Sequence, residues 1–85
     1  MATLKQFDVI HDQHHGYGYI LKIEGIGKNG IALICWPANR TMFYSSREMN
    51  YTLTKKYIEK YYTIVSKFNS KEESIAYITA LRRLL

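Results

Sequence analysis

Apolar residues in the first half of the chain fall in short runs or alternate with polar residues, which is the pattern of β-strands. In the first run, Phe7 and Val9 lie on one face and Gln6 and Asp8 on the other. The run from Ile31 to Trp36 is apolar on both faces, as in a small barrel whose outer face is covered. Four successive strands are therefore predicted, over residues 4–11, 19–24, 31–36 and 41–45.

Turn residues separate these runs. Gly16 and Gly18 precede the second strand, and we expect a turn or sharp bend there, because glycine adopts backbone angles that other residues avoid. The pair Asn29-Gly30 favours a hairpin turn between the second and third strands. Pro37 ends the third strand because proline cannot extend a strand ladder. Short turns of this kind make a meander, so the strands are expected to run antiparallel.

The second strand carries an irregularity in its pattern. Ile20 and Ile23 are both apolar, although strict alternation would place them on opposite faces. A bulge or strong bend would reconcile the two positions, and small barrels use such bends to close. The sequence therefore predicts a local break in the strand between these two residues.

Helical spacing appears after the predicted strands. Apolar and aromatic residues recur about every four positions, at Leu53, Tyr57, Ile58 and Tyr61. This spacing favours a helix from near Thr54, whose hydroxyl is suited to cap its first turn. Residues 61–65 then have strand composition, so residues 52–66 fit either a helix or a strand. We expect a short helix followed by a fifth strand.

The last segment predicts a longer helix, over about residues 71–84. Ser70 and Glu73 have the spacing of a capping box, in which each side chain satisfies a backbone donor of the other. Apolar residues then repeat at helical spacing, at Ile75, Ile78, Leu81 and Leu85. The chain is thus predicted to be one mainly-β domain, residues 1–85. A small antiparallel barrel of about five strands fills residues 4–66, and the helix of residues 70–85 packs on it.

Charge and composition narrow the functional classes. The net charge is +5. Residues 1–50 carry five basic and four acidic side chains, whereas residues 51–85 carry seven basic and three acidic ones. The basic second half is suited to nucleic acid or to an acidic protein surface. The single cysteine, Cys35, excludes an internal disulfide, and the longest apolar run is too short to span a membrane. We expect a soluble cytoplasmic protein with no membrane partner.

The motif His15-Gly16-Tyr17-Gly18, set between Val9–His11 and the aliphatic run Ile20 to Ile23, resembles a known module. With the run Ile31 to Trp36 and residues 41–45, it is similar to SH3-like or Tudor-like small barrels. The closest likeness is to the C-terminal Tudor-like module of UvrD-type helicases, and CarD-type RNA-polymerase-interacting domains are more distant. The resemblance covers about the first 50 residues. It implies an adaptor without catalysis that contacts proteins or nucleic acid.

The histidine cluster is the clearest candidate for metal or acid–base chemistry. His11, His14 and His15 lie close to Asp12, and these residue types ligate zinc and other transition metals. Their spacing matches no recognised metal motif. The alternative is a solvated loop whose histidines gain charge in mildly acidic solution. We therefore assign no metal site, no cofactor and no catalytic residue, and keep a small metal-dependent enzyme only as an alternative.

Aromatic and basic residues are the stronger signal. Aromatic residues make up 14 % of the chain and include eight tyrosines. Rings beside basic groups bind unpaired bases by stacking and phosphates by charge, although in a small barrel many rings fill the core instead. The segment from Lys55 to Lys67 interleaves lysines with tyrosines in this way. The predicted nucleic-acid or partner-binding residues are Tyr17, Tyr19, Lys22, Lys28, Trp36, Arg40, Tyr44, Arg47, Lys56 and Lys60.

These observations predict a binding module and not an enzyme. The leading hypothesis is an adaptor or inhibitor in nucleic-acid metabolism that contacts nucleic acid, the transcription or replication machinery (RNA polymerase, for example), or both. The composition, rich in Ile, Lys, Asn and Tyr, suits a phage protein. A second hypothesis is an oligomeric structural or interaction protein whose helix and exposed rings join subunits.

Overall fold

The computed structural model describes residues 3–14, 16–25, 29–37 and 49–84. They form five strands and two helices: β1 Val9–Asp12, β2 Gly16–Glu24, β3 Ile31–Trp36, β4 Met49–Thr54, α1 Lys55–Tyr61, β5 Thr63–Ser66 and α2 Lys71–Leu84. All pairings are antiparallel, and one sheet runs in the order β4-β3-β2-β1-β5. The predicted mainly-β fold with a C-terminal helix is thus confirmed.

The sheet is open and does not close into a barrel. Among the strands that the structure describes, β4 and β5 lie at opposite ends of the order. It stays open because a helix packs on each of its two faces. Ile78 of α2 packs on one face against Val9, Tyr19 and Cys35. Ile58 of α1 belongs to a second cluster on the other face, so apolar strands are buried without the sheet curling onto itself.

The buried residues of the second cluster come from the N-terminal segment, three strands and α1. Its buried members are Leu4, Ile10, Ile20, Ala32, Ile34, Trp36 and Ile58. Residues that face α2 alternate along the strands with residues that face α1, and this is why β3 is apolar at nearly every position. The core is therefore two thin layers, one on each face of the sheet.

The predicted irregularity in β2 is a bulge. Ile20 pairs with Ile34, whereas Lys22 pairs with Leu33, so the register shifts by one residue between them. Leu21 is the extra residue and turns toward the α2 side. Ile23 consequently packs against the same cluster as Ile20, as the sequence pattern required.

Several strand boundaries differ from the predictions. β2 begins at Gly16 and not at residue 19, so Gly16 and Gly18 belong to the strand, where they pair with Asp12 and Ile10. β1 begins at Val9 and not at residue 4, because Phe7 has a left-handed backbone with a φ of 71°, which a continuous strand cannot contain. The predicted fourth strand, residues 41–45, lies outside the described residues. The strand found beside β3 is β4, which includes Leu53, a residue that the helical spacing had grouped with Tyr57. Pairing with β3 outweighs local propensity here.

The second half follows the predictions more closely. Thr54 caps α1, and its hydroxyl accepts a hydrogen bond from the Tyr57 backbone N–H at 3.2 Å. The short helix and the fifth strand are both present, with β5 beginning two residues later than expected. At the start of α2 the Ser70 hydroxyl accepts from the Glu73 N–H at 3.2 Å, as the capping box predicts. The Ser70 hydroxyl also donates to the Glu73 carboxylate, at 3.1 Å, so the second bond joins the two side chains.

Candidate nucleic-acid interface

A cleft of about 540 Å³ lies where the end of β1 approaches α1. One wall comes from β1 and the tight connection that follows it, and the other from α1 and the start of β5. The lining residues are His11, Asp12, Gln13, His14, Tyr57, Tyr61, Tyr62 and Thr63. Because β1 and β5 pair side by side, with His11 opposite Thr63, the two walls have a fixed separation. We call this site the tyrosine cleft.

The short helix α1 presents two tyrosines to the tyrosine cleft. Tyr57 and Tyr61 are one helical turn apart, and their side chains share a face. They remain 45 % and 59 % exposed, whereas a tyrosine usually buries more of its surface in a folded domain. Their ring centroids are 4.8 Å apart with a tilt of 47°. Ile58, fully buried in the core, holds the helix in place, so the two rings form a fixed aromatic surface.

Tyr62 connects the tyrosine cleft to the core. Its ring lies 6.0 Å from that of Tyr57, edge-on at 73°, and 6.1 Å from the buried ring of Trp36. Its backbone N–H donates to the Ile58 carbonyl at 2.9 Å, which ends α1. Partial burial, and to a lesser extent the negative charge of Asp12, raise the pKa of the Tyr62 phenol above its ordinary value. The Tyr62 hydroxyl and the Asp12 carboxylate are therefore electrostatic neighbours.

Basic groups flank the exposed rings. The Lys60 ammonium lies 5.2 Å from the centroid of the Tyr61 ring, which is within the range of a cation–π contact. Lys56 precedes Lys60 by one turn on the same helix, and both side chains are exposed. Aromatic faces and lysines thus occur together along one edge of the tyrosine cleft. This is the combination that unpaired bases and their phosphates require.

The opposite wall carries the histidines. The His11 ring lies 4.7 Å from the ring of Tyr17, across the β1–β2 pair. His14 belongs to the tight connection between these strands, and His15 lies outside the described residues. Within residues 3–14, 16–25, 29–37 and 49–84, no group of three or more His, Cys, Asp or Glu side chains has a metal-binding arrangement. The histidines contribute polar groups to the wall of the cleft.

The structure brings together only part of the predicted binding set. Lys56 and Lys60 lie on α1 beside the tyrosine cleft. Tyr17 is half-buried against the α2 side and reaches the cleft only through His11. Lys22 forms an ion pair with Glu24, with 2.8 Å between nitrogen and oxygen, in a separate depression of the sheet. The predictions at Lys28, Arg40, Tyr44 and Arg47 concern residues outside the described ranges.

Two of the predicted contacts are corrected. Tyr19 is 1 % exposed and Trp36 is 5 % exposed, so neither offers a ring face to a ligand. Both side chains are in the core because helices cover both faces of the sheet. Tyr19 belongs to the α2 side and Trp36 to the α1 side.

Sequence reasoning also missed residues that line the tyrosine cleft. The predicted binding set omits Tyr57, Tyr61 and Tyr62, although all three lie in the lysine-rich segment from Lys55 to Lys67. Their four-residue spacing on a predicted helix was the available signal for Tyr57 and Tyr61. No local signal pointed to Asp12, because its place opposite α1 depends on β5 pairing with β1.

A second surface lies on the α2 side of the sheet. Ile31 is 45 % exposed there and lies beside Leu33. Lys22, Glu24 and Thr52 surround these two apolar side chains in a depression of about 200 Å³. This surface is smaller than the tyrosine cleft and contains no aromatic ring.

Comparison with known proteins adds no relative. No family model, no curated protein and no solved structure matches the chain. The likeness to Tudor-like modules therefore stays a prediction from the motif around Gly16 and Gly18. In the part of the chain that the structure describes, neither helix combines the length and the apolar character needed to cross a membrane.

Proposed function

We propose that this chain is a non-enzymatic binding module of nucleic-acid metabolism that holds a single strand in the tyrosine cleft. The observation that carries the proposal is the pair of exposed rings, Tyr57 and Tyr61, on a helix anchored in the core. A base stacked on such a ring contributes about 1–3 kcal/mol, whatever its identity. Two adjacent rings offer stacking surfaces for neighbouring bases.

Charge and size support the same ligand. Lys60 lies against the Tyr61 ring at the cleft, and Lys56 lies one turn earlier on α1, so both can meet the phosphates of a strand whose bases enter the cleft. The cleft volume, about 540 Å³, falls in the range of small-molecule sites and suits one or two nucleotides. Stacking needs bases that are free of a duplex, so the expected ligand is single-stranded DNA or RNA. A module of this kind serves transcription or replication by holding a strand beside the machinery that uses it.

Binding of labelled oligonucleotides, followed by fluorescence anisotropy at two salt concentrations, tests the proposal. Single-stranded ten-nucleotide probes are expected to bind more tightly than the matching duplex. With two lysine–phosphate contacts, the logarithm of the association constant falls with that of the salt concentration with a slope of about −1.4. No binding of any single strand at low salt would overturn the proposal and leave a protein partner as the alternative.

Matched variants separate stacking from charge. Tyr61→Ala is expected to weaken binding about tenfold, while Tyr61→Phe retains the ring and most of the affinity. Lys60→Gln is expected to reduce the salt slope by about 0.7, because one phosphate contact is lost. Lys71→Gln removes the same charge at the start of α2, outside the cleft, and is expected to leave the slope unchanged. Equal effects of the two lysine variants would contradict binding in the tyrosine cleft.

The depression around Ile31 favours self-association as a second candidate. Lys22 and Glu24 pair with each other at 2.8 Å along the β2 side of the exposed apolar surface, so two copies related by a two-fold axis could exchange these charges across it. Sedimentation velocity at rising protein concentration tests this candidate. The Ile31→Lys variant is expected to abolish any dimer, and a wild-type monomer at high concentration rules the candidate out.

A further inference from the structure

We infer that the tyrosine cleft prefers bases with an exocyclic amino group (cytosine, adenine and guanine) over uracil and thymine, and that Asp12 is the residue that selects them. This inference rests on the proposed function, because it requires a base in the cleft. It adds a chemical preference to a site whose stacking alone is indifferent to base identity.

The position of Asp12 is the first step of the argument. Asp12 is the last residue of β1 and pairs with Gly16, so its backbone is held in the sheet next to the tight connection. Its half-buried side chain lines the tyrosine cleft together with the three tyrosines. Tyr62 lines the same cleft, and the negative charge of Asp12 contributes, after burial, to the raised pKa of its phenol. A base stacked on Tyr57 or Tyr61 would therefore point one edge toward a carboxylate.

The arrangement of charges orients such a base. Lys60 lies against the Tyr61 ring at the outer edge, where it favours the phosphates, and Asp12 lies on the facing wall and repels them. The sugar–phosphate backbone is thus favoured on the lysine side. The hydrogen-bonding edge of the base then enters toward Asp12.

The chemistry of a carboxylate supplies the preference. An ionised carboxylate only accepts hydrogen bonds, and its two oxygens offer about four acceptor sites, so it can bind a base while keeping other partners. Cytosine presents an amino donor at N4, adenine at N6 and guanine at N2. Uracil and thymine present a carbonyl oxygen at the equivalent position, which would face the carboxylate as a second acceptor. Asp12 therefore discriminates against uracil and thymine.

The test compares two ligands that differ in this group. Labelled dC10 and dU10 are titrated with the wild-type protein at pH 7.5 and low salt; their bases differ by an amino group in place of the 4-carbonyl and by the proton that uracil carries on N3. We expect dC10 to bind about tenfold more tightly, within the range of one good side-chain–base pair. A dC10 strand that carries N4,N4-dimethylcytosine keeps the ring but lacks the donors, and is expected to bind as weakly as dU10. These comparisons need no protein variant.

The Asp12→Asn variant then assigns the preference to its residue. An amide donates as well as accepts, so the ratio of the two dissociation constants is expected to fall to within about twofold. Glu72→Gln removes an equal charge from the exposed first turn of α2 and is expected to preserve the ratio. Thermal unfolding of Asp12→Asn checks that the fold is retained.

The outcomes separate this inference from the proposed function. Tight binding of dC10 and dU10 with equal affinity overturns the inference and leaves single-strand binding in place. A preference for dC10 that persists unchanged in folded Asp12→Asn also overturns it. Failure of both oligonucleotides to bind at low salt overturns the proposed function together with the inference.

Discussion

The backbone of Gly18 lies directly against the indole ring of Trp36. A Cβ atom added to Gly18 would lie 2.4 Å from Trp36 Cε3 and 2.7 Å from Cζ3, closer than atoms can approach. The ring is buried and is part of the cluster that also contains Ile58, the anchor of α1. The second glycine of the Gly-x-Gly step is therefore required by packing, whereas Gly16, with a φ of 80°, is required by its backbone conformation.

Gly18→Ala is the first prediction that follows. The added methyl group would force the indole or the β2 backbone to move, and such overpacking lowers the free energy of unfolding by about 1–3 kcal/mol. Urea denaturation measures the loss. In a Trp36→Leu background the same substitution is expected to have a smaller effect, because the planar ring that blocks the methyl group is gone. An equal loss in both backgrounds would show that the ring is not the obstacle.

Gly16 offers the matching control, since nothing lies within 4 Å of its added Cβ. Gly16→Ala is expected to lower stability by about 1 kcal/mol through its left-handed backbone alone. Gly16→Asn is expected to have a smaller effect, because asparagine tolerates this conformation better than alanine. Equal losses for the two variants would contradict a backbone origin.

The ion pair between Asp8 and Lys67 fastens the N-terminal segment to the end of β5. The Asp8 side chain is buried, and its Oδ2 accepts from Lys67 Nζ and from the Lys5 backbone N–H, both at 2.8 Å. Lys67 also donates to the Thr3 carbonyl at 2.8 Å. Lys67→Met is expected to lower the free energy of unfolding by about 1–3 kcal/mol, because a buried carboxylate loses its charged partner.

The Lys67 prediction is checked by urea denaturation beside Lys71→Met, which removes an exposed lysine four residues later. The change at Lys71 is expected to stay within about 0.5 kcal/mol. A loss at Lys67 no larger than that at Lys71 would mean that solvent replaces the ammonium at Asp8 without penalty.

Ser74 holds the strained residue Phe7 in place. The buried Ser74 hydroxyl donates to the Phe7 carbonyl at 2.6 Å, and Phe7 is the described non-glycine residue with a positive φ. Ser74→Ala is expected to lower the free energy of unfolding by about 1–2 kcal/mol, since the carbonyl loses its donor. Thr79→Ala on the exposed side of α2 is the control, with an expected change within about 0.5 kcal/mol. Similar changes at both positions would contradict a specific role for the Ser74 hydroxyl.

The Tyr62 phenol makes the free energy of unfolding depend on pH in the alkaline range. Burial raises the pKa of its phenol above the ordinary value of 10.0. The protonated phenol is therefore favoured more in the folded than in the unfolded chain. This contribution is fully present below pH 10.0 and is lost as the pH rises through the raised pKa of the folded state. Urea denaturation at intervals above pH 9 is expected to show a shallower decline for Tyr62→Phe than for the wild type. Parallel declines would exclude Tyr62 as a cause.

Much of the fold follows from local patterns that the sequence displays. The bulge between Ile20 and Lys22 was visible as broken alternation, and α2 was visible from its apolar repeat and from Ser70. These features depend on residues within a few positions of one another, which is why sequence reasoning reaches them. The sequence pattern predicted a closed barrel and not an open sheet, because closure depends on how helices far along the chain cover the strands.

The boundaries that sequence reasoning missed depend on distant partners. Leu53 fits a helical spacing with Tyr57, yet it belongs to a strand because it pairs with Ala32. Phe7 adopts a left-handed backbone, which is stabilised by a hydrogen bond from the hydroxyl of Ser74, 67 positions away, to the Phe7 carbonyl. The candidate site follows the same rule. The tyrosines on α1 were visible as a mixed aromatic and basic segment, whereas Asp12 joins them only through the pairing of β1 with β5.

The pairing of β1 with β5 also bears on how the chain folds. β1 lies between β2 and β5 in the sheet, and its partner Ser66 stands 57 positions after Val9. Closing a loop of that length is slow compared with forming the neighbouring hairpins, so a late step is expected in which β5 docks onto a preformed meander. During synthesis on the ribosome, the free side of β1 stays without its neighbour until the chain beyond Ser66 has emerged. Both walls of the tyrosine cleft come into register only at that step, so ligand binding would report the completion of folding.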